Sequence, residues 1–195
     1  MVKRLRYGNT NTFFIKESGR GLLVDTDYAG TLPMFFRCIK QADISIKDIG
    51  YLLATHYHPD HMGIAGELQK LGIKLLLIDI QKPYVHFSDR IFEREKRFGY
   101  KAPDETAALT ISCEESRAFL LGIGIKGEIM HTPGHSVDSV SLVLDEGSCM
   151  VGDLEPFEFL EGYKDKPELR DSWEKIMSRK PKRILFAHAN EKDLQ

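Results

Sequence analysis

The segment H-Y-H-P-D-H at positions 56–61 places three imidazoles and a carboxylate within six residues, directly after the apolar strand pattern GYLLAT. In an extended chain, His56 and His58 project to the same side and can hold one metal ion together. The proline that follows disfavours a helical conformation at His58 and turns Asp60 and His61 toward a neighbouring position. Imidazoles interleaved with carboxylate are a typical ligand set for zinc and similar ions. The segment therefore predicts a metal site.

Six residues do not close such a site alone, so further ligands must follow other strands. His131 and His135 flank a Pro-Gly turn, which excludes a helix carrying both on one face. One of the two is predicted to be a ligand and the other to be structural. Asp153 follows the apolar run SCMV, where a buried carboxylate is costly unless a cation compensates it. His188 stands at the exit of the last strand pattern and becomes a further candidate ligand.

The remaining patterns alternate strands with helices, which predicts an α/β layer arrangement in a single domain over residues 1–195. Two hairpins are predicted, one from Asn11–Lys16 with Gly21–Thr26 and one from Ser139–Asp145 with Ser148–Gly152. Single strands are predicted at Gly50–Thr55, Lys74–Asp79, Gly127–His131 and Arg183–Ala187. Helical patterning covers Leu32–Gln41, Met62–Leu71, a long stretch within Lys82–Tyr100, Glu114–Leu121 and Glu168–Ser178.

Composition excludes several classes of function. The formal net charge is -2, so no general attraction to nucleic acid or anionic membrane is expected, and the basic run 179–183 is predicted to be a solvated turn. No apolar run approaches the roughly 20 residues that cross a bilayer, and none resembles a signal-peptide core. The three cysteines, Cys38, Cys113 and Cys149, are predicted to be reduced thiols. These features predict a cytoplasmic protein.

Five short motifs together resemble the metallo-β-lactamase-fold superfamily. They are V-D-T at 24–26, T-H-Y-H-P-D-H-M-G at 55–63, H-T-P-G-H-S at 131–136, G-D at 152–153 and A-H at 187–188. They occur in the superfamily's order and span most of the chain. The resemblance implies a four-layer αββα sandwich with a dinuclear metal site at one edge, between the sheets.

The resemblance also implies individual roles. The first metal would be held by His56, His58 and His135, and the second by Asp60, His61 and His188. Asp153 would bridge the two metals, Asp60 would also orient the nucleophile or carry its proton, and Asp25 would orient the ligand loop. The chain departs from the superfamily's usual D-T-G by placing Asp27 where glycine is common, which affects the predicted shape of that loop.

The chemistry implied is hydrolysis by a metal-bridging hydroxide, acting on a small ester, thioester, lactone or related substrate. Zinc is the default metal, with iron and manganese as alternatives. One alternative function is an iron-dependent oxidoreductase similar to sulfur dioxygenases. Those enzymes usually need only one metal, so the complete second ligand set, Asp60, His61 and His188, argues against this function. Another is a phosphodiesterase. Asp153 as a bridge resembles the ligand set of the glyoxalase II, lactonase and phosphodiesterase branches. Secreted β-lactamases and glyoxalase II itself are weaker matches, because we expect no secretion signal and no C-terminal helical extension in this chain.

Two features stay open at the level of sequence. The aromatic segment around 82–101 is predicted to form either an ordinary amphipathic helix or a wall, lid or dimer contact beside the site. His86, within it, has no counterpart in the motifs and is left as a pocket-lining or surface residue. The predicted partner is a small-molecule substrate, with homodimerisation left open.

Overall fold

The computed structural model describes residues 1–194 and arranges eleven strands in two sheets. The first sheet has the order β1-β2-β3-β4-β5-β6, formed by β1 (Val2–Arg6), β2 (Asn11–Ile15), β3 (Gly21–Val24), β4 (Ile49–Leu53), β5 (Lys74–Ile78) and β6 (Leu109–Ile111). The second has the order β11-β10-β9-β8-β7, formed by β7 (Gly127–His131), β8 (Val140–Leu144), β9 (Ser148–Met150), β10 (Arg183–Leu185) and β11 (Lys192–Asp193). Each sheet therefore combines parallel and antiparallel pairs.

Helices cover the outer faces of the sheets. The α-helices are α1 (Leu32–Gln41), α2 (Pro59–Met62), α3 (Ala65–Lys70), α4 (Asp89–Arg94), α5 (Cys113–Gly122) and α6 (Pro167–Met177). Short 3₁₀ helices span Ile46–Asp48, Asp79–Tyr84, Lys96–Phe98, Glu105–Ala107 and Phe157–Gly162. Within residues 1–194, no helix has the length and apolar character needed to cross a membrane.

Three buried clusters hold four layers together. Between the sheets, apolar side chains of β2 to β5 meet those of β7 to β10, for example Leu53 against Leu142 in one cluster. Leu52 and Leu75, on the other face of the first sheet, share a cluster with Phe35 of α1. The outer face of the second sheet packs on α6 through Trp173. The predicted α/β class and αββα sandwich are confirmed.

Most predicted elements are present, and two predictions are wrong in detail. Both hairpins form, as antiparallel pairs β2–β3 and β8–β9. The single helix predicted over Met62–Leu71 is interrupted before α3. The long helix predicted within Lys82–Tyr100 is broken into two 3₁₀ turns and the short α4, with Pro83 in the first turn and Gly99 at φ 63° after the last. Strands β1, β6 and β11 were not predicted.

The strand directions bring the carboxyl ends of several strands to one edge of the sandwich. Strands β3, β4, β5 and β6 are mutually parallel, so their carboxyl ends share an edge of the first sheet. In the second sheet, β9 and β10 are parallel, and β7 runs in the same direction because β8 is antiparallel to both β7 and β9. All the motifs found in the sequence follow the carboxyl ends of β3, β4, β7, β9 or β10, so the sandwich gathers them at one edge.

Candidate metal centre

Seven of the sequence-predicted side chains converge at this edge. They form three overlapping groups, each with possible ligand atoms within 4.8 Å of one another: His56 with His58 and His135, His56 with His61 and Asp153, and Asp60 with His61 and His188. His56 and His61 are fully buried, whereas the side chains of Asp60 and His188 are 36% and 37% exposed. The centre thus reaches from the interior of the sandwich to solvent.

The first group consists only of imidazoles. His135 Nε2 lies 3.0 Å from His58 Nδ1, and the ring centroids of His56 lie 4.5 Å from His58 and 4.8 Å from His135. Burial lowers the pKa of His56 well below its ordinary value, and the neighbouring imidazoles lower it further. Burial also lowers the pKa of His135, against the raising effect of Asp153. Neutral imidazoles with facing nitrogens are the form that binds a metal ion.

The second group mixes imidazoles with carboxylates. His188 Nε2 lies 3.1 Å from Asp60 Oδ2, and His61 Nε2 lies 3.9 Å from Asp60 Oδ1. Burial would raise the pKa of Asp60, but the hydrogen bond from His188 and the charge of His61 lower it to about 2. The hydrogen bond to Asp60 in turn raises the pKa of His188. Asp60 is therefore ionised at neutral pH.

Asp153 lies between the two groups. Its Oδ2 is 3.3 Å from His61 Nε2 and 3.7 Å from His135 Nε2, while its Oδ1 is 3.3 Å from His188 Nε2. Gly152 allows the backbone to carry Asp153 to this position. Its φ is 58°, and an added Cβ would lie 2.5 Å from Thr55 Oγ1. Only glycine adopts this backbone without strain while approaching Thr55 so closely. Asp153 is consequently in reach of imidazoles from both groups.

The hydrogen bonds of the Nδ1 atoms, on the side of each imidazole away from the centre, test whether these residues fit a metal. His61 Nδ1 donates to Asp25 Oδ2 at 3.1 Å, and His188 Nδ1 donates to the carbonyl of Asn9 at 3.3 Å. Thr55 Oγ1 donates to Asp25, so its oxygen accepts from His56 Nδ1 at 3.2 Å. Each Nδ1 is thus bound on the side away from the centre, so a metal would meet the Nε2 atoms, the arrangement that orients metal-binding histidines.

Atoms left without a partner support the same fit. Within the part of the chain that the structure describes, the buried atoms His56 Nε2, His61 Nε2 and Asp153 Oδ1 have no hydrogen-bond partner. Unsatisfied buried polar atoms are rare because each costs about 1–3 kcal/mol. Eight such atoms occur among the described residues, and these three are possible ligand atoms of the converging groups, so the donor set is suited to divalent metal.

Asp25 forms the inner support of the centre. Its φ is 62°, a left-handed conformation that aspartate tolerates better than most residues. In that conformation, its carboxylate accepts from the Thr55 amide at 2.6 Å and from the Thr55 hydroxyl at 2.9 Å, besides His61. The charge of Asp25 is one reason why the pKa of His61 is raised, although burial alone would lower it.

The other singled-out residues lie outside the three groups. His131 Nε2 donates to the carbonyl of Val137 at 2.8 Å, so the structure brings His135 and not His131 to the centre. His86 is half-exposed and pairs with Asp89 at 2.9 Å. Asp27 is buried and accepts from the Thr10 amide at 2.9 Å, and the Thr10 hydroxyl donates to the Asp60 carbonyl at 2.8 Å. The departure from D-T-G thus anchors the loop that carries Asp60.

The 82–101 region contributes one side of the site that no motif identified. Phe87 is 54% exposed, and its ring centroid lies 5.4 Å from that of His58. A cleft of about 270 Å³ beside the site is lined by residues that include His135, Asp153, Glu155, Phe186 and His188. Three further buried side chains, Gln81, Ser88 and Asp138, contact the backbone around His56 and His58. As single polar residues outside any motif, they gave no recognisable signal in the sequence.

Comparison with known proteins identifies a matching family. The model of the metallo-beta-lactamase superfamily matches residues 5–188. A Drosophila melanogaster protein named beta-lactamase-like protein 2 homolog is 30% identical over 190 residues, which are 93% of this chain and 59% of that protein. A ribonuclease Z of Streptomyces coelicolor is 28% identical over 69% of this chain and 40% of its own length. An atrochrysone carboxyl ACP thioesterase of Pseudocercospora fijiensis is 27% identical over 72% and 35%, respectively.

The chain therefore spans between about a third and three fifths of these curated relatives. Solved structures match it over nearly its full length. A metallo-beta-lactamase family protein from Thermus thermophilus superposes with a TM-score of 0.74 at 19% identity, covering 99% of this chain and 74% of that one. A protein crystallised in a di-iron-bound form gives a TM-score of 0.71 at 21% identity, covering 99% and 94%. These similarities concern the fold.

Proposed function

This chain belongs to the metallo-beta-lactamase superfamily, and on that premise we propose that it is a dinuclear metal-dependent hydrolase of a small ester, thioester, lactone or related substrate. The observation that carries the proposal is the convergence of five imidazoles and two carboxylates, three of whose buried ligand atoms have no hydrogen-bond partner among residues 1–194. His56, His58 and His135 would hold one metal, and Asp60, His61 and His188 the other. Asp153, which approaches both groups, would contact both metals.

The metals would supply Lewis acidity, which activates water near neutral pH and polarises the bond under attack. The chain's own contribution begins with Asp60, whose pKa of about 2 keeps it an acceptor at neutral pH. Asp60 is partly exposed and lies beside His188, which lines the cleft, so its carboxylate can orient a water molecule and accept its proton. His188 Nε2, 3.1 Å away, holds that carboxylate in place.

The shape of the site favours a small substrate. The cleft beside His135 and His188 measures about 270 Å³, slightly below the usual range of about 300–1,000 Å³ for ligand pockets. The name of the thioesterase relative supports a thioester among the candidate substrates. Zinc is the proposed metal because the donor set is rich in nitrogen, and iron is the principal alternative since the same donors bind it.

A second candidate is phosphodiester hydrolysis, which is favoured by similarity to a protein named ribonuclease Z. A two-metal centre also suits in-line attack on phosphorus. The formal net charge of -2 gives no broad electrostatic attraction to a polyanion, so we rank this function below ester or thioester hydrolysis. Cytoplasmic location, a single-domain organisation and the absence of a nucleic-acid partner stay predictions.

Metal analysis and a substrate screen test the proposal together. The purified protein should contain close to two equivalents of divalent metal and hydrolyse at least one carboxylic ester, thioester or lactone. Asp153→Ala should remove metal and turnover, whereas Asp145→Ala, which deletes a half-exposed carboxylate paired with Arg117, should retain both. Turnover confined to phosphodiesters would favour the second candidate. A protein that binds no zinc, iron or manganese would overturn both.

A further inference from the structure

One peptide segment, between His56 and His58, is held by side chains from two separate parts of the chain. Tyr57 lies between the two histidines, and its ring is buried in the core under the first sheet. The Tyr57 amide donates to Asp138 Oδ2 at 2.8 Å. The Tyr57 carbonyl accepts from Ser88 Oγ at 2.7 Å. Both backbone polar groups of this residue are thus bound by buried side chains from elsewhere.

Gln81 connects the same segment to the loop that carries His135. Its side chain is fully buried, in the 3₁₀ turn after β5. Gln81 Nε2 donates to the carbonyls of Ala54 at 3.0 Å, Thr55 at 3.3 Å and Asp138 at 3.1 Å. Ala54 and Thr55 directly precede His56, and Asp138 lies three residues after His135. One amide group therefore links the two loops that supply the imidazole group.

We propose that Gln81, Ser88 and Asp138 form a clamp of positioning residues that sets the spacing of His56, His58 and His135, and thereby the metal affinity of that half of the centre. The proposal rests on the proposed metal centre. All three side chains are at most 4% exposed, so solvent does not compete for these hydrogen bonds. The 3.0 Å separation of His58 Nδ1 and His135 Nε2 depends on two loops from different sheets, which the clamp joins.

The other half of the centre has separate supports. His61 is oriented by Asp25, His188 by the Asn9 carbonyl, and the Asp60 carbonyl by Thr10. None of these contacts involves Gln81, Ser88 or Asp138. Loss of the clamp should therefore weaken one half selectively, whereas general destabilisation of the fold would weaken both.

Two background variants, each of which keeps only one half of the centre complete, make this selectivity measurable. His188→Ala leaves the three-histidine half intact, and His135→Ala leaves the half with Asp60 and His61 intact. Zinc affinity is measured in each background by competition with a chromophoric chelator, alone and with Gln81→Leu or Ser88→Ala added. In the His188→Ala background, we expect each addition to weaken zinc binding about 10–100-fold, the usual effect of losing a group that orients a ligand. In the His135→Ala background, the change should stay within about twofold.

Matched variants separate positioning from simple burial. Ser116 is also fully buried and bonds backbone, accepting from the Ile129 amide at 2.9 Å, but it lies in α5 away from the centre. Ser116→Ala should leave zinc affinity unchanged in both backgrounds. Asp138→Asn retains an acceptor for the Tyr57 amide and should restore affinity that Asp138→Ala loses.

Equal weakening in both backgrounds, or no weakening in either, would overturn the clamp while leaving the metal centre in place. Failure of the parent protein to bind zinc, iron or manganese would instead overturn the proposed function itself. If Gln81→Leu does not fold, the Ser88→Ala variant and the comparison of Asp138→Ala with Asp138→Asn decide the question.

Discussion

Two charged clusters in this protein are built in opposite ways. On the surface, Glu128 accepts from Arg179 Nε at 2.6 Å and Arg117 Nη2 at 3.2 Å, and Arg117 also binds Asp145 at 3.0 Å. Every carboxylate there has a guanidinium partner. At the sheet edge, five imidazoles crowd two carboxylates, and three of the buried ligand atoms described for residues 1–194 have no partner.

This difference distinguishes charged residues that stabilise the fold from residues that serve the metal centre. The surface cluster satisfies its own hydrogen bonds and needs nothing further. The site cluster keeps His56 and His135 neutral, mainly by burial, as their lowered pKa values indicate. Such an arrangement is unfavourable in the free protein and becomes favourable when a cation binds, so it is expected where function constrains sequence.

The largest expected effect is that of removing metal. Ligand binding to the folded state alone stabilises it by about 4 kcal/mol when free ligand is about 1,000 times Kd, so two sites give about 8 kcal/mol. Chemical denaturation in excess zinc and in excess chelator should differ by this order. Glu128→Gln should show the same difference, because the surface cluster takes no part. Coincident denaturation curves for the parent protein would remove the contrast between the clusters.

Next in size is the loss of the support beneath the second half of the centre. In chelator, Asp25→Ala should lower the free energy of unfolding by about 3–5 kcal/mol, because it leaves His61 and the Thr55 amide without their buried partner. Asp25→Asn should cost less, since asparagine tolerates the φ of 62° and keeps an acceptor. Denaturation midpoints for the two variants test this order, and an alanine variant as stable as the parent would contradict it.

A smaller effect of opposite sign is expected at His56. In chelator, His56→Leu should raise the free energy of unfolding by about 1 kcal/mol, because it removes a buried Nε2 that has no partner among the described residues. In zinc, the same variant should be less stable than the parent, because a ligand has been lost. A loss of stability in chelator would indicate that the packing of the imidazole outweighs its unsatisfied nitrogen.

The sequence predicted much of this site because strand ends and motifs coincide. The apolar runs before His56, Asp153 and His188 locate the ends of β4, β9 and β10, and parallel strands bring such ends to one edge. Spacing alone did not choose between His131 and His135. That choice came from resemblance, and the structure accounts for it through the bond of His131 to the Val137 carbonyl.

Other features depend on contacts that no local pattern encodes. Gln81 and Asp138 are 57 residues apart and meet only when the sheets pack. The region around 82–101 has helical periodicity, but Pro83 and the left-handed Gly99 limit it to short turns, and Ser88, just before α4, donates to the Tyr57 carbonyl. Strand β6 has three residues, none of them fully buried, so no continuous apolar run marks it.

The smallest effect is expected at the surface cluster, where pH provides the test. Hydrogen bonds from Arg179 and Arg117 lower the pKa of Glu128 below its usual 4.5. A carboxyl group with a lowered folded-state pKa stabilises the fold above its unfolded pKa, and this contribution disappears as the pH falls through the folded-state pKa. Both arginines are about half exposed, so Glu128→Gln should cost only about 0.5 kcal/mol at pH 7, and less in high salt. The difference between parent and variant should shrink below pH 4.5 and vanish once the pH lies below the folded-state pKa, measured by urea denaturation across pH. A larger cost that persisted in acid would mean that Glu128 stabilises the protein through packing, and the surface cluster would then be more than a set of satisfied charges.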